Sequence, residues 1–261
     1  MDNFELKGLV VPVPAPFVES GAVDFGAFLA HLDWLAECGV RNLLVNGTTG
    51  EFFSLTPAEQ LQLLQVAREN WDGIIIAHTG SPVLFQTLET AHAAEEIGAD
   101  FLASLPPFYF AGAPADGLVR WFNELAESTA LPLILYNFPK HTGNPLTAEI
   151  LAQVPHYGMK DSSADLSLIS ATPRYFVGGD RKICAAYATG AKGFVSASSN
   201  ADPLPYVRIE TEQSAENQVA VDKIYEQFSG PFAIARIKQA LSEILPGYPP
   251  YVRPPLTREP L

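Results

Sequence analysis

Three short stretches carry residues able to do chemistry together: GMKDSS (158–163), LYNFP (135–139) and NGTTGEF (46–52). Lys160 ends a short apolar run and is followed by loop formers, where a surface helix lysine would not be found. An ordinary lysine, with a pKa near 10.4, is a free amine in only about one molecule in 2,500 at pH 7. Burial disfavours the ammonium, and each unit of depression raises that fraction about tenfold, which suits Schiff-base formation with a ketone. Tyr136 closes a neighbouring apolar run and precedes Pro139, which ends sheet pairing. Gly47, Thr48, Thr49 and Gly50 form a tight turn with two hydroxyls and several backbone N–H groups, a set that can bind a carboxylate.

Such residues act together only if the chain brings the ends of its apolar runs to one place. The sequence repeats a pattern rather than a motif: a continuous apolar β-like run, a loop, then a helix-like run. The β-like runs begin at LVVPVPAPF (9–17), RNLLVNG (41–47), GIIIAHT (73–79), DFLASLPPF (100–108), LPLILYNFP (131–139), YGMKDSS (157–163), YFVGGD (175–180) and AKGFVSASSN (191–200). Continuous rather than alternating hydrophobicity is the mark of a parallel sheet covered on both faces. Helices are expected after each, among them TAEILAQVP (147–155), a turn near 165–171 and a longer region from about 203. Thr56, Pro57 and Glu59 spell a capping box, and Gly39, Gly98 and Gly190 stand where helices close in the left-handed conformation. Eight such units fit a (β/α)8 TIM barrel, whose active site lies at the C-terminal ends of its strands. A doubly wound open sheet is the alternative, but PVPAPF after the first run cannot make its glycine-rich phosphate turn. The expected organisation is one domain over 1–261. The barrel would span about 8–230, with a short helical extension (PFAIARIKQALSEI) and a proline-rich tail from about 231 to 261 packed against it.

Of 261 residues, 48% are hydrophobic and 17% charged, ample for a large core. The formal net charge of −13 opposes a nucleic-acid partner, which needs a basic face. No apolar run reaches the roughly 18 residues of a membrane span, and the first residues lack a signal-like pattern; a cytoplasmic protein is expected. Cys38 and Cys184 make neither a disulfide framework nor a zinc pattern and are read as buried free thiols. The histidines have no ligand spacing, so no metal is expected. Glu51, Asp161 and Asp180 are read as loop and helix-cap carboxylates.

Together, GTTGE (47–51), YNFP (136–139), GMKDSS (158–163) and GGD…GAKGFVSASSN (178–200) resemble the dihydrodipicolinate synthase / N-acetylneuraminate lyase superfamily, in order and over nearly the whole chain. The resemblance implies a (β/α)8 barrel with a helical extension, a homo-oligomer (dimer or tetramer), and a lysine Schiff base with pyruvate or another 2-oxo acid, without metal or organic cofactor. It makes Lys160 the Schiff-base lysine and Tyr136 the proton shuttle. Thr48 and Thr49, in the turn from Gly47, would grip the carboxylate, and one of their hydroxyls would link Tyr136 to solvent. Gly179, Val195 and Ser196 would line the imine site. Tyr109 could supply an aromatic hydroxyl to a neighbouring subunit, with a one-residue shift in PPFYFAGAP; simple packing is its other reading. His141 stands where dihydrodipicolinate synthases carry an arginine for the aldehyde's carboxylate, with Lys140 beside it. That speaks against aspartate semialdehyde. The 109–114 stretch has no basic residue to accept a phosphate. The expected function is a class I aldolase releasing or condensing pyruvate and an aldehyde, with a 2-keto-3-deoxy sugar acid as substrate. Within the family, a dihydrodipicolinate synthase-like condensation, an N-acetylneuraminate lyase and a sugar-acid dehydratase stay open. Outside catalysis, a 2-oxo acid binding protein does.

Overall fold

The computed structural model describes residues 5–258; the first four residues of the N-terminal stretch and the last three of the tail lie outside them. Eight parallel strands close into a barrel in chain order: β1 Gly8–Pro12, β2 Asn42–Val45, β3 Ile74–His78, β4 Phe101–Ser104, β5 Leu133–Asn137, β6 Gly158–Asp161, β7 Tyr175–Val177 and β8 Gly193–Val195. Every strand residue is buried, which is why these segments read as unbroken apolar runs. The helices among the described residues are α1 Phe25–Glu37, α2 Pro57–Asn70, α3 Leu84–Ile97, α4 Ala115–Glu127, α5 Pro139–Thr142, α6 Ala148–Leu151, α7 Ile183–Thr189, α8 Leu204–Thr211, α9 Ala215–Gln227 and α10 Ala233–Ile244.

Internal packing divides the chain into two compact units. The first runs from Ile76 to Val195 and includes the residues up to Gly8. Its strands are in parallel register from β3 to β8, with Leu102 opposite Leu133, Tyr136 opposite Lys160 and Lys160 opposite Phe176. Gly98 and Gly190 close α3 and α7 with φ of 92° and 110°, as expected of left-handed caps. The helix expected over 147–155 is shorter than that run: only α6, Ala148–Leu151, forms there, and Pro155 bars its continuation. The turn near 165–171 is a 3-10 helix, Leu166–Ala171, with the Asp165 side chain accepting from Ser167 N.

The second unit holds Leu9–Ile75 and the chain from Ser196 onward. Here Val10 pairs with Asn42 and Pro12 with Leu44. The capping box at Thr56 is complete: Glu59 N donates to Thr56 Oγ1 at 3.2 Å and Thr56 N donates to Glu59 Oε2 at 2.8 Å. The expected helical region after 203 is two helices, broken before Ser214, whose hydroxyl accepts from Asn217 N. Tyr251 forms an isolated bridge with Phe17. Arg253 then donates to Gly21 O, Ser54 O and the Glu59 carboxylate, so the tail packs onto the unit that begins with β1. Cys38 and Cys184 form no disulfide and are half-buried, not buried; one follows the last turn of α1 and the other lies on α7.

Candidate active site

In the first unit, the β5–β6 register sets Tyr136 beside Lys160 and Asn137 beside Asp161. Lys160 is 8% exposed, and its Nζ lies 3.5 Å from the centroid of the Tyr136 ring. Burial pushes the Lys160 ammonium below its ordinary range, against the pull of Tyr136 and Asp161, which favour the charge. The Tyr136 ring is buried, edge-on to His78 and stacked on Phe138, each at 5.9 Å. A poorly solvated amine over a held phenol has the chemistry for a nucleophile with a proton shuttle beside it.

Asp161 braces this pair. Fully buried, its carboxylate accepts from Asn137 Nδ2 (2.9 Å), Ser163 N (2.9 Å), Ser163 Oγ (2.7 Å), Asp165 N (2.9 Å) and Tyr175 Oη (2.8 Å). Asn137 Oδ1 in turn accepts from Leu146 N at 3.0 Å. The residues following the two catalytic candidates are thereby tied to each other across the strands.

Gly179 lies in extended backbone (φ −146°) after β7, and a Cβ there would press on the Ala164 Cβ at 3.1 Å. Val195 ends β8 and is buried. His141, on α5, is exposed, with its ring edge-on to Phe138 at 4.2 Å. Partial burial pushes the His141 imidazolium down, and neighbouring Lys140 adds to the effect. Tyr109 is 98% exposed with φ of 83°, so it stands clear of the Lys160–Tyr136 pair of its own chain. Its loop is pinned by Asn144, which donates to Pro107 O at 2.7 Å and Phe110 O at 2.9 Å and accepts from Ala113 N at 2.8 Å. Asn144 was not singled out from sequence; the Asn-Pro dipeptide after Gly143 is the only local signal.

In the second unit, Gly47, Thr48 and Thr49 form the turn after β2, entered by Asn46 (φ 59°) and left by Glu51 (φ 54°). Glu51 N donates to Thr48 O at 3.1 Å. Gly50 is closely packed: a Cβ there would come within 3.1 Å of Val13 O and 3.3 Å of Asn46 Cα, so that its neighbours would have to give way. Thr49 is buried and Thr48 half-buried. Ser196 is fully buried, and its hydroxyl accepts from Ser199 N at 3.3 Å. Glu51 corrects the sequence reading. It lies in a turn, as expected, but its carboxylate caps no helix: it is a fully buried partner of Lys238, an ion pair that closes on the C-terminal segment. Lys238 was missed; the signal was a lysine in the buried stripe Ala235, Ile237, Lys238 and Leu241 of α10. Asp161 does hold a loop, accepting from Ser163 N and Asp165 N from a buried position, and Asp180 is buried as well.

Among the described residues, no three His, Cys, Asp or Glu side chains are grouped to hold a metal ion, and no helix is long and apolar enough to cross a membrane.

The model of the dihydrodipicolinate synthetase family matches residues 5–259. The chain belongs to this family. Members are lyases and aldolases, and the protein is a carbon–carbon lyase of that group. Among curated relatives, an "uncharacterized DapA-like lyase" of Chloroflexus aurantiacus is 34% identical over 76% of this chain and 72% of its own. A 4-hydroxy-tetrahydrodipicolinate synthase of Methanothermobacter thermautotrophicus is 29% identical over 86% of each. Among solved structures, YagE, a prophage protein of the dihydrodipicolinic acid synthase family from E. coli K12 in complex with pyruvate, superimposes with a TM-score of 0.90 at 25% identity, covering 97% of this chain and 93% of that one. A 2-keto-3-deoxygluconate aldolase from Sulfolobus, in complex with D-KDPG, gives a TM-score of 0.88 at 26% identity over 97% of this chain and 90% of that one.

Proposed function

We propose that this family member is a Schiff-base aldolase that cleaves a 2-keto-3-deoxy sugar acid to pyruvate and an aldehyde, or runs the reverse condensation. The observation that carries the reading is the buried Lys160 amine 3.5 Å from the Tyr136 ring centroid. Lys160, as free amine, adds to the C2 ketone, and loss of water leaves an iminium. Tyr136 takes the C4 hydroxyl proton. The C3–C4 bond breaks, its electrons pass to the iminium to give an enamine, and the aldehyde leaves. Protonation at C3 and hydrolysis then release pyruvate and restore the lysine. Thr48 and Thr49 are assigned to the substrate carboxylate, Gly179, Val195 and Ser196 to the imine surroundings, and Tyr109 to a relay in a homo-oligomer. All these assignments follow the family resemblance.

One observation supports a sugar acid over aspartate semialdehyde, since aldolases and synthases alike are among the similar proteins. At the position where synthases carry an arginine, His141 has its imidazolium disfavoured by burial and by Lys140. Its charged form is thus disfavoured where an arginine would carry a permanent charge. The test is intact mass after incubation with pyruvate and borohydride, for wild type and Lys160→Ala, followed by a panel of 2-keto-3-deoxy acids. A reduced pyruvyl adduct on wild type alone is expected. Folded wild-type protein that gains no adduct refutes the reading.

A further inference from the structure

We propose that the buried Lys238–Glu51 pair, closed by the backbone of the C-terminal segment, is a positioning device that holds the Gly47–Glu51 turn in the shape its threonines need to bind a 2-oxo acid carboxylate. The inference rests on the carboxylate role given to that turn above.

The geometry is specific. Both side chains are wholly buried. Lys238 Nζ donates to Glu51 Oε1 and to Tyr251 O, the latter at 2.8 Å. Glu51 Oε2 accepts from Arg253 N at 3.0 Å. Lys238 Nζ also sits 4.2 Å above the Phe17 ring centroid. Arg253 itself is anchored on Gly21 O, Ser54 O and Glu59, so the segment that closes the clamp is fixed from its other side. Burial pushes Lys238 down and Glu51 up; with part of each shift offset by the opposite charge, Lys238 is left lowered to about 8 and Glu51 raised.

Why should a turn end on such a residue? Glu51 has φ of 54°, a conformation in which glycine is unstrained and other residues are not. Backbone preference would therefore choose glycine. A glutamate persists in that conformation only where surrounding contacts over-determine it, and here Lys238 Nζ from α10 and Arg253 N from the tail each hold one oxygen of its carboxylate. Nor does the pair serve stability well. A buried ion pair generally does no better than apolar residues of similar size, and its best-attested use is to fix one arrangement among several. The arrangement it fixes is that of Thr48 and Thr49: Glu51 N donates to Thr48 O, so rotation of the clamped residue would move the carbonyl and hydroxyl of Thr48 together. The C-terminal segment, 187 residues from Glu51 in sequence at Lys238, thus belongs to the substrate-binding apparatus while touching no substrate.

The experiment reads borohydride trapping of pyruvate as a function of pyruvate concentration, in wild type, Lys238→Met, the charge-balanced double variant Glu51→Gln/Lys238→Met, and Arg253→Ala. A positioning role raises the half-saturating concentration of the first two variants roughly tenfold or more, with the trapping rate at saturation within about twofold of wild type, because uniform binding is lost and Lys160 is untouched. Arg253 is half-buried, so its truncation leaves a folded protein even if the core variants do not fold; it is expected to raise half-saturation by about two- to threefold. Circular dichroism checks folding. Unchanged half-saturation in folded Arg253→Ala, or in the folded double variant, overturns the proposal while a wild-type adduct leaves the Lys160 reading standing. A wild type without adduct overturns both.

Discussion

Asp161 offers the sharpest test of how the site is built. Replacing it by alanine deletes an acceptor used by five donors, two of which, Asn137 Nδ2 and Tyr175 Oη, belong to buried side chains. A buried donor left without a partner costs about 1–3 kcal/mol. Tyr175 Oη also reaches Asp165 O at 3.3 Å and can fall back on it. Ser163 and Asp165 are exposed and can turn to water. The net loss should therefore be about 2–4 kcal/mol, a large part of the roughly 5–15 kcal/mol that keeps a domain folded. Asp161→Asn keeps an acceptor and the shape, so it should cost less, yet it removes the charge that favours the Lys160 ammonium. Burial then acts with less opposition, the Lys160 pKa falls further, and more free amine is present at a given acidic pH. Urea unfolding reads the first effect, and the pH of half-maximal pyruvate trapping reads the second. In Asp161→Asn that pH should move down. An acid limb that stays in place, or an alanine variant within about 0.5 kcal/mol of wild type, would sink this account of Asp161.

Two further outcomes follow from burial and close approach. His31 is wholly buried, and burial lowers its pKa from 6.5 to about 3. The unfolded chain therefore takes up this proton first; the contribution is complete above about pH 6.5 and declines by about 1.4 kcal/mol per unit as pH falls towards 3. Between pH 6.5 and 5 wild type should lose about 2 kcal/mol more than folded His31→Phe in urea titrations, and equal losses would refute the sign. At Gly193, an added Cβ would collide with Gly8 O and approach Gly8 N to 2.8 Å. Gly193→Ala should lower stability by about 1–3 kcal/mol, read from the urea midpoint, and an unchanged midpoint would show that β8 and Gly8 are free to separate.

Much of the architecture was legible because it is local. Continuous apolar runs mark strands buried on both faces, and all eight appear where those runs lie. The capping box at Thr56 and the left-handed glycines at 39, 98 and 190 depend on near neighbours alone, and each is found. Local signals also misled. TAEILAQVP has helical residues enough for a longer helix, yet only Ala148–Leu151 forms one, and Pro155 bars its continuation. Polarity placed Glu51 and Asp161 in loops, and both are buried, because the groups that compensate their charge come from elsewhere in the chain.

The types of the reactive residues, their order and the family to which they belong are properties of the sequence by itself. Side-chain chemistry and short-range backbone preference need no partner to be read. Which groups meet was decided by the tertiary structure. Tyr136 faces Lys160 because of the β5–β6 register, and a slip of one residue would turn every side chain of a strand to the other face. Glu51 finds Lys238 across 187 residues, and Asn144 reaches back to Pro107 across 37. Such pairs carry no signature in either segment alone, since the free energy that unites them comes from desolvation and hydrogen bonding that exist only once the chain has closed around them.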